Sequence, residues 1–112
     1  MTVTAATIRM KAGLEDLRAG FLERVADRCM TIECILAGAE SICPTEAERA
    51  EIAQHAHKTV GVAATFGYAA LGARALEVER LMSPGRTPSW DASRPIIDAF
   101  LDEMERVLDE EA

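Results

Sequence analysis

Two histidines stand in the run Gln54-His55-Ala56-His57-Lys58-Thr59-Val60-Gly61, and an imidazole can bind a metal, move a proton or take a group onto nitrogen. Their spacing separates these chemistries. A helix turns about 100° per residue, so with Ile52 at zero the positions Ala56, Thr59, Ala63 and Phe66 fall within roughly 40° of it and form a buried stripe. His57 then lies at about 140°, on the water side. Around it stand Ala53 at about 100°, Ala64 at about 120°, Ala50 at about 160°, Gly61 at about 180° and Gln54 at about 200°. His55 lies at about −60°, on the opposite flank, which makes it a boundary residue between the core and a neighbouring helix. Helical metal pairs need a spacing of three or four residues, so the two histidines do not chelate one ion and no metal site is expected.

A solvated helix face is normally built from Lys, Glu and Arg, and a glycine in a helix interior costs about 1 kcal/mol against alanine. Small residues around His57 offer something else: clearance. A flat patch of Ala and Gly lets another protein surface approach until an atom carried there lies in line with an imidazole nitrogen. An imidazole keeps a free lone pair near neutral pH and can then act as a nucleophile. The candidate site is therefore His57 as the reacting group, with Gly61, Lys58, Gln54, Ala53 and Ala64 as the surface around it. Other catalytic arrangements are missing from the pattern. There is no Gly-rich phosphate loop, no defensible Ser-His-Asp set and no Glu-x-x-His repeat, and the carboxylates follow solvated faces. No autonomous kinase or hydrolase activity is expected.

The elements that must hold this patch are helices. With 112 residues, 49% of them hydrophobic and only 4% aromatic, the chain suits a single domain, residues 1–112, whose core is built from Leu, Ile, Val, Met and Ala. Leu14, Leu17, Phe21, Val25, Ile32 and Leu36 recur at helical spacing and predict a first helix over about residues 12–38. Residues 1–12 form either a frayed extension or a short extra N-terminal helix, with Val3, Ile8 and Met10 available to pack on the bundle. Arg28, beside the stripe, reads as a snorkelling side chain.

Pro44-Thr45-Glu46 starts a second helix capped by Thr45, running to about residue 65. Gly67 marks a bend or a close helix crossing. Leu71, Ala75, Val78 and Met82 make a third stripe to about residue 82. Residues 83–89, with two prolines and a glycine, are a loop. A fourth helix begins at about Asp91 or Ser93, with Pro95 in its first turn and Ile97, Phe100, Leu101, Met104, Val107 and Leu108 on its apolar face. Trp90 is expected to staple the loop to the bundle. No alternating strand pattern occurs, so the fold class is all-α, an up-and-down antiparallel four-helix bundle.

A net charge of −7, from 12 basic and 19 acidic residues, repels phosphate backbones and disfavours nucleic acid. Cys29, Cys34 and Cys43 have no Cys-x-x-Cys spacing and read as packed, reduced thiols. With no apolar run long enough for a membrane span and no signal-peptide pattern, a cytoplasmic, monomeric protein without membrane contact is expected.

Taken together these residues resemble the histidine-containing phosphotransfer (HPt) domains of phosphorelays. The family pattern is His-x-x-Lys-Gly on an exposed helix, a second Gly ten positions after the His, and Leu at about fourteen; His57, Gly61, Gly67 and Leu71 match these. Leu14-x-x-Leu17-Arg18-x-x-Phe21-Leu22 resembles the family's first helix, and Leu76-Glu77 a pair that often ends the third. The resemblance implies two-component signal transduction by a phosphoprotein. His57 accepts a phosphoryl group from a receiver-domain phospho-aspartate and passes it to another receiver aspartate. The partners are response-regulator receiver domains or a hybrid histidine kinase, docking over the face of the first two helices. It also implies no cofactor bound by this chain, with Mg²⁺ on the partner receiver. One position departs: Val60 stands where the family has Lys, and Lys58, at about 240° on the wheel, is the nearest cation. That departure supports an alternative, a non-catalytic helical module that docks a receiver or another signalling partner without being phosphorylated.

Overall fold

The computed structural model describes residues 4–38, 43–83, 85 and 88–111. Four α-helices follow one another: α1 (Ala5–Gly38), α2 (Glu46–Ala63), α3 (Ala69–Leu81) and α4 (Trp90–Glu111), with a 3₁₀ turn at Ala64–Phe66 between α2 and α3. The up-and-down bundle expected from the periodicity is what forms, with α2 packed on α3, α3 on α4, and α1 closing the bundle against α4 and α2. No strand occurs among the described residues.

The core is a column of fully buried side chains contributed by all four helices. Phe21, Val25 and Ile32 come from α1, Ile52 and Ala56 from α2, Leu71 and Val78 from α3, and Ile97, Phe100 and Met104 from α4. At one end Phe21 stacks on Phe66 with ring centroids 5.2 Å apart and on Tyr68 at 5.9 Å. Tyr68 donates its hydroxyl to Glu111 Oε1 at 2.8 Å, while the Arg18 guanidinium lies 5.5 Å from the Tyr68 ring centroid. That end of the bundle is therefore closed by an aromatic layer under a polar lid.

The ends of α2 explain its placement. Thr45 Oγ1 accepts from the Glu48 amide at 3.1 Å, and Glu48 Oε1 accepts from the Thr45 amide at 2.8 Å, a capping box that satisfies two donors a helix start leaves unpaired. At the other end Gly67 takes a left-handed φ of 82°, a conformation glycine adopts without steric cost. Nothing lies within 4 Å of where a Gly67 Cβ would project, so Gly67 is the bend; the close helix approach is one turn on, at Gly72, whose Cβ would lie 3.6 Å from Ala63 Cβ.

Several boundaries differ from the sequence reading. The N-terminal segment is neither frayed nor separate, because α1 is one helix of 34 residues from Ala5. Its first half does not pack: Ile8, Met10, Leu14 and Leu17 are all more than half exposed. Val3 lies outside the described residues, as do Pro84, Arg86 and Thr87 of the expected loop. α4 starts at Trp90 because Ser89 is the cap, its Oγ accepting from the Ala92 amide at 3.2 Å. Ser93 is instead fully buried and donates its hydroxyl to the Ser89 carbonyl at 2.8 Å. Pro95 thus sits in the second turn, where its missing N–H leaves the Asp91 carbonyl without an intrahelical donor. Both residues are exposed, so water can serve that carbonyl. Of the three thiols, all free, only Cys29 is packed; Cys34 and Cys43 are exposed.

Candidate functional site

His57 lies in the middle of α2 with 72% of its side chain exposed. Its partner comes from the next helix. His57 Nδ1 lies 2.8 Å from Glu79 Oε1 on α3, and the Glu79 side chain is 28% exposed. An ionised carboxylate only accepts, so in the neutral ring the hydrogen bond places the proton on Nδ1 and leaves the lone pair on Nε2. Just beyond the end of α3 the Ser83 hydroxyl donates to the Glu79 backbone carbonyl at 2.7 Å. The imidazole is therefore fixed at one nitrogen and open at the other.

Around the ring, Gly61 is exposed and has nothing within 4 Å of where a Cβ would project. Gln54, Lys58 and Ala64 are also exposed, whereas Ala53 is half-buried against the core. Ala64 belongs to the 3₁₀ turn after the end of α2. Val60 is half-buried and packs on the core. Position 60 lies at about 80° on the wheel, between the core stripe and His57, and Lys58 is the cation of α2 next to His57. The residue that sequence reasoning missed is Glu79. Its signal was present in the turn: in an antiparallel helix pair bent at Gly67 and Tyr68, positions 57 and 79 are mirror images. Through this contact α3 also contributes to the face that presents the ring.

His55 takes the other flank. Its side chain is 23% exposed and both ring nitrogens are buried without a hydrogen bond, the nearest acid being Glu51 Oε1 at 3.6 Å from Nε2. The two histidines do not converge. On the same side Thr59, fully buried, donates to the His55 carbonyl at 2.8 Å and accepts from Arg28 Nη1 at 3.2 Å, which ties α1 to α2 behind the site. Arg28 is thus hydrogen-bonded, and burial, followed by the charge of Arg24, holds its pKa below the usual value. Among the described residues one group could offer a metal three ligands, Cys29, Glu33 and Glu105 between α1 and α4. The Cys29 thiol there is pushed up to about 12, chiefly by burial and then by Glu33, and a thiol must deprotonate to bind a metal.

The chain is thus an all-α bundle that presents one exposed histidine, in contact with a carboxylate, from its second helix. The model of the Hpt domain family matches residues 16–110, and the chain belongs to that family. Hpt domains carry out histidine phosphotransfer in phosphorelays and interact with receiver domains and kinases of two-component systems. No curated protein and no solved structure matches the chain. No helix among the described residues is long and apolar enough to cross a membrane.

Proposed function

We propose that His57 is the phosphoryl acceptor of this Hpt domain and that Nε2 is the reacting atom. The observation that carries this is the 2.8 Å contact from Nδ1 to Glu79 on an open face, because it directs the lone pair outward. In the step, Nε2 attacks the phosphorus of a receiver phospho-aspartate in line, the N–P bond forms, and the P–O bond to the aspartate breaks with the electron pair leaving on the carboxylate. The ring becomes cationic while Nδ1 keeps its proton, and the Glu79 carboxylate 2.8 Å away stabilises that charge. The reverse sequence on a second receiver returns the ring to neutral. Mg²⁺ held by the receiver supplies the cationic charge on the phosphoryl oxygens that Val60 does not; this chain binds no cofactor for the step. Clearance over Gly61 lets the receiver approach.

Val60 favours a second reading, docking without phosphorylation, since Lys is replaced by a side chain turned into the core. One experiment separates the two. Incubation with a phosphorylated receiver should give acid-labile, base-stable phosphate on the wild-type chain and none on His57→Gln, with helical circular dichroism unchanged. Binding of a receiver panel without any labelling would instead select the docking module.

A further inference from the structure

The first half of α1 is a helix without a partner. Met10, Leu14 and Leu17 are 67%, 56% and 60% exposed, yet with Phe21 at zero they fall at about −20°, 20° and −40° on the wheel. They continue the stripe that Phe21, Val25, Ile32 and Leu36 bury in the core. The core stripe thus runs on past the end of the bundle closed by Tyr68, Arg18 and Glu111, where none of the described helices covers it. The overall extents, 59 × 25 × 20 Å, record the projection. The family match begins at residue 16, so most of this arm is additional to the family bundle.

Charge says what fits there. On one flank of the stripe Lys11 lies at about 80° and Glu15 at about 120°; on the other Arg9 lies at about −120° and Asp16 at about −140°. None of these four makes a hydrogen bond or ion pair among the described residues. Antiparallel helices related by a twofold axis meet like flank to like flank. Pairing position i of one arm with position 26 − i of another sets Lys11 opposite Glu15 on the first flank; Arg9 and Asp16 meet within one position on the second. Each contact occurs twice. In the same register Leu17 falls within one position of Met10, and Leu14 within one position of Gly13, which has nothing within 4 Å of where a Cβ would project. A parallel pairing would set like charges together.

We propose that residues 8–17 form an antiparallel seam with the same segment of a second copy of this chain, giving a twofold dimer with the two bundles at opposite ends. The partner is the chain itself because the arm is its own electrostatic complement. The seam leaves the phosphotransfer face free: it lies beyond the Tyr68 end, while His57 is about 10 Å up α2 from Ala64. The inference is independent of the assignment of His57.

Sedimentation equilibrium of the full chain from about 1 μM to about 500 μM tests it. The expected result is a concentration-dependent doubling of mass. Leu14→Glu should abolish it with helical circular dichroism retained, since Leu14 is exposed. Arg9→Glu with Lys11→Glu, or Glu15→Lys with Asp16→Lys, should each weaken self-association at least about tenfold, and all four substitutions together should restore it, as should mixing the two half-swapped chains. A monomer throughout the range, or a dimer indifferent to Leu14→Glu or to the half-swaps, would overturn the proposal.

Discussion

Glu79 Oε1 lies 2.8 Å from His57 Nδ1, a contact across 22 residues of chain that joins α3 to α2 at the surface. Because it spares Nε2, it separates a positioning role from a stabilising one. Exposed pairs of this kind are worth no more than about 1 kcal/mol to folding, so Glu79→Ala should leave the urea midpoint nearly unchanged. It should slow phosphoryl transfer by about tenfold, a size in the range of a lost charge-assisted hydrogen bond. Glu79→Gln, which can still accept from Nδ1, should retain the tautomer. Nitrogen-15 NMR of the ring checks this directly: protonated Nδ1 in wild type and Glu79→Gln, mixed tautomers in Glu79→Ala. Equal tautomer populations in all three would remove Glu79 from the mechanism.

Gly61 can be examined without touching the imidazole. Nothing lies within 4 Å of its Cβ position, so Gly61→Ala should stabilise α2 by up to about 1 kcal/mol. Gly61→Gln should fold equally well and bind a receiver weakly. Transfer to Gly61→Gln at the wild-type rate would show that clearance is irrelevant.

Thr59 is the polar tie behind the site. Its hydroxyl donates to the His55 carbonyl and accepts from Arg28, and the valine of the same shape can do neither. Thr59→Val should destabilise the fold by about 1–3 kcal/mol in urea denaturation, because Arg28 loses its acceptor in a half-buried position. Combining Thr59→Val with Arg28→Leu should recover part of the loss.

Such ties separate what the sequence could reveal from what it could not. The stripes of α2, α3 and α4 were legible because Ile52, Ala56 and Ala63, Leu71, Ala75 and Val78, and Ile97, Phe100 and Met104 recur at helical spacing within their helices and end up fully buried. Cap position was less so: Ser89, Asp91 and Ser93 are all good N-caps, and only the packing of Ser93 into the core selects Ser89. The stripe through Leu14 and Leu17 was also correctly placed on one face of α1, but periodicity reports which face is apolar and not whether anything covers it. The exposure of His57 was legible from its place on the wheel. Its contact with Glu79 has to be counted out from the turn at Gly67 and Tyr68, because a pair between helices depends on register.

Two carboxyl groups should give opposite pH signatures. Glu105 is raised above the usual carboxylate range by a hydrogen bond with Glu33, then by desolvation and by the charges of Glu33, Asp102 and Asp109. Its folded-state proton is held more tightly than in the unfolded chain, so its contribution is present at low pH and lost as pH rises through the folded value. Glu105→Gln should therefore gain stability relative to wild type as pH rises from about 4 to about 7. Glu103 is held below the usual range by its hydrogen bond with Arg106; its contribution is present above the ordinary carboxylate pKa and lost as pH falls through the lowered value. Glu103→Gln should lose stability over the same rise. Urea midpoints across that range decide both.

Thiol chemistry should divide the cysteines. Cys34 and Cys43 are exposed, while Cys29 is 6% exposed with its thiol pushed up to about 12. Only thiolate reacts with a disulfide reagent, so titration of the folded chain should show two fast thiols and one that reacts only on unfolding. Three equal rates would contradict the packing of Cys29.

The assignment of His57 is tested most directly by mass spectrometry of the chain after incubation with a phosphorylated receiver and Mg²⁺. A single added phosphoryl group on His57, labile in acid, stable in base and absent from His57→Gln, is the expected result. The same group appearing on His57→Gln, or on His55 of the wild-type chain, would contradict it.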